Sequence, residues 1–209
     1  MPEFSAYYEN ARKEIAPLVP QGAKSVLEIG CGAGGTLLWL KEDLGFEVCV
    51  GIEVEARAAA RARQKGLAVL ETDIEKGIPF MNCSYDLLLC LDVIEHLANP
   101  WRVTKELSTL IKPGGYLIVS LPNIAHISIL SGLLFRDRWD YEDSGILDRT
   151  HLRFFTRQTA YGLLNEAGFE VIGHRPRFAR KTHRRLNFLT IGIFGRFLTY
   201  QNLFLAKKR

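Results

Sequence analysis

The regular alternation of short apolar runs with helix-like segments is the feature that most constrains this chain. Runs rich in valine, isoleucine and leucine occupy 25–30, 47–53, 68–74, 85–92 and 116–123, and segments of helical composition separate them. Strands of a parallel sheet are buried on both faces, so their sequences are continuously apolar rather than alternating. The pattern therefore predicts an α/β fold, doubly wound around a mostly parallel sheet.

The remaining elements extend this prediction to the end of the chain. Pro100 is expected to open a helix, which the "KPGG" sequence at 112–115 ends before the strand at 116–123. A last helix is expected between a Thr156 cap and Gly168, followed by an antiparallel strand pair at 169–176 and 201–208.

A length of 209 residues fits a single domain. Within it we expect an N-terminal helical cap at 1–20, an insertion at 124–155 and a basic, apolar C-terminal segment at 177–200.

Composition and the N-terminal sequence limit the cellular compartments in which the protein is expected. The four cysteines stand singly, without C-x-x-C spacing, which indicates small buried side chains in a reducing compartment rather than disulfides or a zinc site. The N-terminus is polar and acidic, unlike a signal peptide, and no apolar run reaches the roughly 20 residues that span a bilayer. A cytoplasmic location is therefore predicted.

The first candidate site is the glycine-rich turn after the first strand, "EIGCGAGG" at 28–35. Its glycines fit the G-x-G-x-x-G pattern, which lets a ligand approach the backbone at a helix N-terminus. Glu28 precedes the first glycine, and a carboxylate there would repel a pyrophosphate but attract an ammonium or sulfonium. S-adenosylmethionine carries both cations, so Glu28 favours it over a dinucleotide.

Two further carboxylates follow the next two strands. Glu53 ends the second strand, where an acidic side chain can accept hydrogen bonds from both ribose hydroxyls, although a helix-start role is the alternative. Asp73 follows the third strand, where it can receive an adenine amino group while Ile74 packs on the ring. Three strand-end carboxylates in succession point to one nucleoside site.

The combination of "VLEIGCGAGG", "GIE", "TDI", "YDLLLCLDVIEHL" and "LIKPGGYLIVSLPN" resembles the successive motifs of class I S-adenosylmethionine-dependent methyltransferases, over about residues 20–175. The resemblance implies a Rossmann-like fold, S-adenosylmethionine as cofactor and S-adenosylhomocysteine as product. By the same resemblance the cofactor contacts are Glu28, Gly30, Cys31, Gly32, Gly34, Glu53, Asp73, Ile74, Leu91 and Asp92.

A general base, needed when the acceptor is a hydroxyl, should lie near the strand ends. One candidate is His96, with a structural role as its alternative. The other is His151 in the aromatic insertion, with Asp148 three residues before it on the same face of a turn and orienting the imidazole. Glu95 and His96 could ligate a metal, but no second cluster at ligand spacing supports this, so no metal is predicted.

The acceptor is less constrained. "DRTHLRFFT" resembles a subset of these methyltransferases that accompany glycosyltransferases in surface-polysaccharide pathways, which implies a sugar hydroxyl. Ubiquinone-type O-methyltransferases share the "EH" after the fourth strand and are the close alternative. A non-catalytic cofactor-binding subunit and a nicotinamide-dependent oxidoreductase are rivals from other classes. The absence of an N-P-P-F/Y-type motif argues against nucleic-acid methylation.

Charge is unevenly distributed along the chain. After Glu170 there are ten basic and no acidic residues, which gives +10, so the net charge of +4 leaves −6 for residues 1–170. Such asymmetry indicates an anionic partner. The apolar stretch 186–200 beside these arginines is expected either to pack on the sheet edge or in a homodimer, or to seat the protein peripherally on an anionic membrane.

Overall fold

A computed structural model describes residues 6–78 and 84–209 and contains one seven-stranded sheet with strand order β3-β2-β1-β4-β5-β7-β6. Five strands are parallel, and β7 runs antiparallel to both β5 and β6. The strands are β1 Ser25–Ile29, β2 Val48–Glu53, β3 Ala68–Glu71, β4 Tyr85–Leu91, β5 Ile111–Pro122, β6 Phe169–Arg177 and β7 Gln201–Lys208. The predicted doubly wound fold with its antiparallel C-terminal pair is confirmed.

In the described residues, seven α-helices connect the strands: α1 Gly35–Leu44, α2 Ala56–Gln64, α3 Pro100–Ser108, α4 Ile127–Arg136, α5 Arg157–Glu166, α6 Lys181–Leu189 and α7 Gly195–Leu198. Short 3₁₀ helices occur at Ala6–Glu9, Lys13–Leu18, Ile74–Lys76 and Ile94–His96. Within the described residues, no helix combines the length and apolar character required to cross a bilayer.

Strand β4 shows why its sequence is continuously apolar from Leu87 to Leu91. Leu88 and Cys90 belong to the core that includes Val103 of α3 and Leu163 of α5, whereas Leu87, Leu89 and Leu91 belong to the opposite core with Leu37 of α1. Successive side chains of a strand point to opposite faces, so a strand covered on both faces needs an apolar residue at every position.

The chain leaves α3 earlier than the "KPGG" sequence predicts. The helix ends at Ser108, and β5 already begins at Ile111, with an irregular register against β4 between Tyr85 and Leu87. A Cβ at Gly115 would lie 2.7 Å from Ile111 Cγ2 and 3.1 Å from the Asp86 carbonyl oxygen. Gly115 is thus required for close packing at the irregular start of the strand. The predicted helix end at 112–115 is wrong, whereas regular pairing with β4 begins at Tyr116, as predicted, after a break in register where Gly114 has a φ of 73°.

Sheet topology determines where a ligand can bind. Chain order runs outward from β1 to β2 and β3 on one side, and from β4 to β5 on the other. Loops at the carboxyl ends of β1 and β4 therefore diverge and leave a crevice, the usual ligand position in an open α/β sheet.

Cysteine burial agrees with the prediction at two of the three described positions. Cys31 and Cys90 are buried as predicted, whereas Cys49 is half-buried, and all three are free thiols. Cys83 lies outside the described residues.

Candidate active site

A cavity of about 1010 Å³ lies at the carboxyl ends of the parallel strands. Every residue that the sequence singles out, apart from Gly34, lines this cavity. These residues are Glu28, Gly30, Cys31, Gly32, Glu53, Asp73, Ile74, Leu91, Asp92, His96, Asp148 and His151. Side chains that come from β1, β2, β3, β4 and the insertion thus meet in one place.

The glycine turn between β1 and α1 adopts a conformation that only glycine tolerates easily. Gly30 and Gly32 have φ values of 68° and 54°. A Cβ at Gly30 would lie 2.6 Å from Val93 Cγ2, and one at Gly32 would lie 2.9 Å from the Tyr8 carbonyl oxygen. These two glycines let the turn pass between the β4 loop and the N-terminal segment.

The N–H groups of residues 30–34 in this turn are already used within the protein. Gly30 and Cys31 donate to the Ile52 carbonyl, Gly32 donates to the Glu53 carboxylate at 2.7 Å, and Ala33 and Gly34 donate to backbone carbonyls. A pyrophosphate-binding turn must present such groups to its ligand. Their internal use argues against the nicotinamide-dependent alternative.

Gly34 does not line the cavity but packs against neighbouring side chains. It caps α1 in the left-handed region, and a Cβ there would lie 2.2 Å from Leu67 Cδ1 and 3.2 Å from Ala62 Cβ. The glycine therefore permits close contact between the turn and α2. Its predicted contact with the cofactor is not supported by this placement.

Glu28 is a buried carboxyl with an unused oxygen. It is 3% exposed in the middle of the sheet, and its Oε2 has no hydrogen-bond partner among the described residues. Burial raises its pKa to about 8, an effect that a hydrogen bond with Thr36 and the charge of Arg12 oppose. The site therefore holds a carboxyl group that needs a cationic partner to ionise at neutral pH.

Glu53 both faces the cavity and organises the loops around it. One carboxylate oxygen accepts from the Gly32 N–H, and the other accepts at 2.9 Å from the N–H groups of Val54 and Glu55. Each carboxylate oxygen can accept two hydrogen bonds, so Oε1 is fully used and Oε2 has one acceptor position left. Glu53 thus retains acceptor capacity for one ligand hydroxyl while it holds the glycine turn in place.

Asp73 and Ile74 lie beside Glu53 at the end of β3. The Asp73 carboxylate caps the following 3₁₀ helix through the Glu75 N–H at 2.9 Å, and Ile74 is 6% exposed in the cavity wall. An apolar surface next to a strand-end carboxylate matches the predicted environment of an adenine.

Asp92 is held by residues that sequence reasoning missed. Its carboxylate accepts from Arg12 Nη1 at 2.6 Å, from Ser120 Oγ at 2.6 Å and from the Gln201 amide. Asp92 itself has a φ of 57°, an uncommon conformation for a residue with a side chain. Arg12 and Gln201 are 80 and 109 positions from Asp92, and no local spacing could reveal these contacts.

His96 and His151 form a ring pair at the far side of the cavity. Their centroids are 4.7 Å apart in an edge-to-face arrangement. His96 Nδ1 lies 3.2 Å from the Thr150 carbonyl oxygen, and His151 Nδ1 lies 3.0 Å from that of Ile146. Because a carbonyl oxygen only accepts, each Nδ1 carries the proton and each Nε2 keeps a lone pair.

The predicted pairing of Asp148 with the His151 imidazole is wrong. The Asp148 carboxylate accepts from the Thr150 N–H at 2.8 Å and from its hydroxyl at 2.6 Å, which closes a local turn. The Ile146 carbonyl, not Asp148, orients His151. Asp148 still lines the cavity, where it contributes negative charge.

Glu95, next to His96, is the third member of this cluster. It is 1% exposed, and neither carboxylate oxygen has a hydrogen-bond partner within residues 6–78 and 84–209. Potential ligand atoms of Glu95, His96 and His151 all lie within 4.8 Å of one another. The sequence predicts no metal because no second group of ligand residues supports Glu95 and His96. In the folded protein His151 lies beside them, so this reason for excluding a metal no longer applies.

Comparison with known proteins decides the family. Residues 4–174 match a family model described as a methyltransferase domain. The chain belongs to this methyltransferase family. The predicted class of S-adenosylmethionine-dependent methyltransferase is confirmed, and with it the predicted cofactor.

Two individual relatives of this methyltransferase share about a third of the aligned residues or fewer. It is 32% identical over 116 residues to a ubiquinone biosynthesis O-methyltransferase from Albidiferax ferrireducens, covering 52% of this chain and 45% of that one. A protein of the same name from Cereibacter sphaeroides is 29% identical over 170 residues, with 77% and 65% covered. The chain thus matches less than two thirds of the length of either relative.

A solved structure supports the fold. A SAM-dependent methyltransferase from Archaeoglobus fulgidus superposes with a TM-score of 0.69 at 19% identity, covering 94% of this chain and 91% of that one.

The residues present fit the cofactor of the family. The unpartnered Oε2 of Glu28 offers an anionic acceptor for an ammonium group. Gly30 and Gly32 let the turn that lines the cavity pack closely against Val93 and Tyr8, and Glu53 and Asp73 place two further carboxylates along the same edge. Carboxylates and an apolar wall, rather than basic side chains, thus characterise this half of the cavity.

Proposed function

We propose that this methyltransferase transfers a methyl group to a hydroxyl oxygen of a sugar or another small molecule. The observation that carries the proposal is a two-ended cavity. Glu28, Glu53 and Asp73 follow β1, β2 and β3 on one side, and the ring pair His96 and His151 lies beyond β4 on the other. A nucleoside site and a proton-accepting site therefore share one volume.

The cofactor half is assigned to the residues whose geometry is described above. Glu28 holds the ammonium end, Glu53 accepts from a ribose hydroxyl, and Asp73 with Ile74 contacts the adenine. When bound, S-adenosylmethionine supplies a methyl group activated by the positive charge on its sulfur. Leu91 and Asp92 border the reacting end, where Arg12 fixes the Asp92 carboxylate.

The other half must remove a proton, because a hydroxyl acceptor loses its proton on methylation. His151 is the proposed base and His96 the second candidate, since each has a free Nε2 lone pair and each lines the cavity. Asp148 contributes charge in this half of the cavity rather than a hydrogen bond to the imidazole.

Two observations bear on the acceptor. The "DRTHLRFFT" segment supplies His151 to the cavity, and its resemblance to methyltransferases of polysaccharide pathways favours a sugar hydroxyl. The names of the relatives from Albidiferax and Cereibacter favour the ubiquinone-type alternative. Both acceptors are hydroxyl compounds, so the proposed chemistry is the same.

The test is transfer of a labelled methyl group from S-adenosylmethionine to extracted lipid-linked sugars, soluble glycans and quinone precursors. Label in one acceptor pool, lost in Glu53→Gln, would support the proposal and select the acceptor. Tight S-adenosylhomocysteine binding without transfer to any hydroxyl compound would favour the non-catalytic, cofactor-binding alternative.

We further propose peripheral contact with an anionic membrane. In and around α6, apolar side chains point outward, with Phe188 and Ile191 exposed by 83% and 92%, and four basic residues lie at 180–185. Ile191 also has a φ of 50°, which is unfavourable for a β-branched residue. A segment that exposes apolar groups beside cations suits an anionic lipid surface in the cytoplasm, with a homodimer contact as the alternative.

A further inference from the structure

We propose that Glu95, His96 and His151 bind a divalent transition-metal cation such as Zn²⁺ beside the acceptor end of the cavity. All three side chains line the cavity, and their potential ligand atoms lie within 4.8 Å of one another. Two imidazoles and one carboxylate form a ligand set known from catalytic zinc sites, which leave a further position open for water or substrate.

The hydrogen bonds of the two imidazoles match those of metal ligands. A metal-binding histidine commonly donates its second ring N–H to a carbonyl or carboxylate, which fixes the ring and its tautomer. His96 does so to the Thr150 carbonyl and His151 to the Ile146 carbonyl. Both Nε2 atoms are thereby left as acceptors with fixed ring orientations.

Glu95 supplies the independent observation. Both of its carboxylate oxygens lack a partner in the part of the chain that the structure describes, although the residue is 1% exposed. A buried carboxylate without partners is costly, and a bound cation would offset that cost. Asp92 and Asp148 add negative charge around it, which the charge of Arg12 only partly offsets, and this also favours a cation.

The backbone around the cluster is already ordered. The Glu95 carbonyl accepts from the N–H groups of Leu152 and Arg153 at 2.8 and 2.9 Å. The insertion is thus tied to the 3₁₀ helix that carries Glu95 and His96. Ligands of a tetrahedral zinc ion lie about 3.3 Å apart, given bonds of about 2.0–2.1 Å. The potential ligand atoms lie up to 4.8 Å apart, so metal binding would draw the three side chains closer together.

The composition of the cluster selects the kind of metal. Imidazole suits Zn²⁺, Cu²⁺, Fe²⁺ and Ni²⁺, whereas Mg²⁺ and Ca²⁺ prefer oxygen ligands. A catalytic role for this metal rests on the proposed function, methyl transfer to a hydroxyl. A bound cation would lower the pKa of an acceptor hydroxyl, and the proton would leave to water. In the metal-loaded protein the imidazoles would then be ligands, and His151 would be a base only without metal.

The experiment uses the full chain after treatment with a chelator, and Co²⁺ as a spectroscopic probe. We expect one Co²⁺ per chain with visible d–d absorption, and displacement by Zn²⁺. Glu95→Gln and His96→Asn should each weaken binding on the order of 10²-fold or more. His183→Asn is the matched control, since His183 belongs to a second histidine pair, 5.4 Å from His126, and should leave binding unchanged.

Binding of S-adenosylhomocysteine and the melting temperature verify that each variant is folded. No Co²⁺ binding by the parent, or equal binding by the parent and both ligand variants, would overturn the site. Methyl transfer that is lost with chelator and restored by Zn²⁺ would support its role, and unchanged turnover would overturn that role. Metal binding without any transfer would leave the site standing and contradict the proposed function instead.

Discussion

Glu28 gives the sharpest prediction, because its ionisation should be coupled to cofactor binding. Burial raises the pKa of Glu28 to about 8, so about nine-tenths of the free protein carries the protonated carboxyl at pH 7. An ammonium ion in contact with this group favours the carboxylate. Binding at pH 7 should therefore release almost one proton, and affinity should rise by roughly tenfold per pH unit up to about pH 8.

The assay is calorimetric titration of S-adenosylhomocysteine in two buffers of different ionisation enthalpy at pH 7. The buffer dependence of the observed enthalpy gives the number of protons released. Glu28→Gln keeps the size of the side chain and removes its ionisation, so the difference between parent and variant isolates Glu28 from the amine of the ligand. We expect a difference of about 0.9 proton and a flat pH profile for the variant between pH 6 and 8.

The same group predicts how stability depends on pH without ligand. The folded pKa lies above the ordinary value of 4.5, so the folded state binds the proton more tightly between about pH 4.5 and 8. The free energy of unfolding should fall as pH rises through that window, by at most about 5 kcal/mol, and Glu28→Gln should lose this component. Equal proton release and equal pH profiles in parent and variant would refute the assignment of Glu28 to the ammonium end.

Three further perturbations test other parts of the molecule. Glu53→Gln should weaken S-adenosylhomocysteine binding at least tenfold in calorimetry and keep the fold, whereas Glu53→Ala should also lower the melting temperature, since it leaves the Gly32 N–H unpaired. Unchanged affinity in both variants would remove Glu53 from the site. Asp86→Asn should cost about 1–3 kcal/mol in denaturant unfolding at pH 7, with a smaller difference at pH 3. The reason is that Lys112 and backbone N–H donors lower the pKa of Asp86 despite its partial burial, so its stabilisation is lost as pH falls; an equal difference at both pH values would contradict this. Phe188→Ser with Ile191→Ser should reduce sedimentation with anionic liposomes at low salt, and a parent protein that stays in the supernatant would refute membrane contact.

The fold could be predicted because its determinants are local in sequence. The run from Leu87 to Leu91 is apolar at every position, as a strand covered on both faces requires, and the predicted Thr156 cap starts α5. Gly115 shows the limit of this reasoning. Its need for glycine comes from contact with Ile111 and Asp86 at the irregular start of β5, and the sequence alone made it a turn residue.

The meeting of Glu28, Glu53 and Asp73 in one cavity could be predicted in the same way, since strand-end carboxylates must meet at one edge of a parallel sheet. The contacts around the two histidines could not. His151 was found, but its partner was misassigned, because Asp148 closes a turn with Thr150 while the Ile146 carbonyl orients the imidazole. From the sequence Glu95 was only a possible metal ligand beside His96. Its burial without a hydrogen-bond partner among the described residues is a property of three dimensions.

Arg12 holds the Asp92 carboxylate through contacts that the sequence could not reveal, because the two residues are 80 positions apart. Its guanidinium donates to Asp92 and Ser120, and through Nε to Glu14 at 2.6 Å, so the N-terminal segment is tied to the ends of β4 and β5. Gln201 at the start of β7 donates to the same Asp92 carboxylate. Three segments that are distant in sequence thus hold the Asp92 carboxylate, and the Asp92 backbone lies in the left-handed region. Asp92 is at the border between the proposed cofactor and acceptor ends of the cavity. Because a misplaced group at this border changes the alignment of the reacting atoms, replacing Arg12 should reduce turnover more than cofactor affinity, although Arg12 lies at neither end.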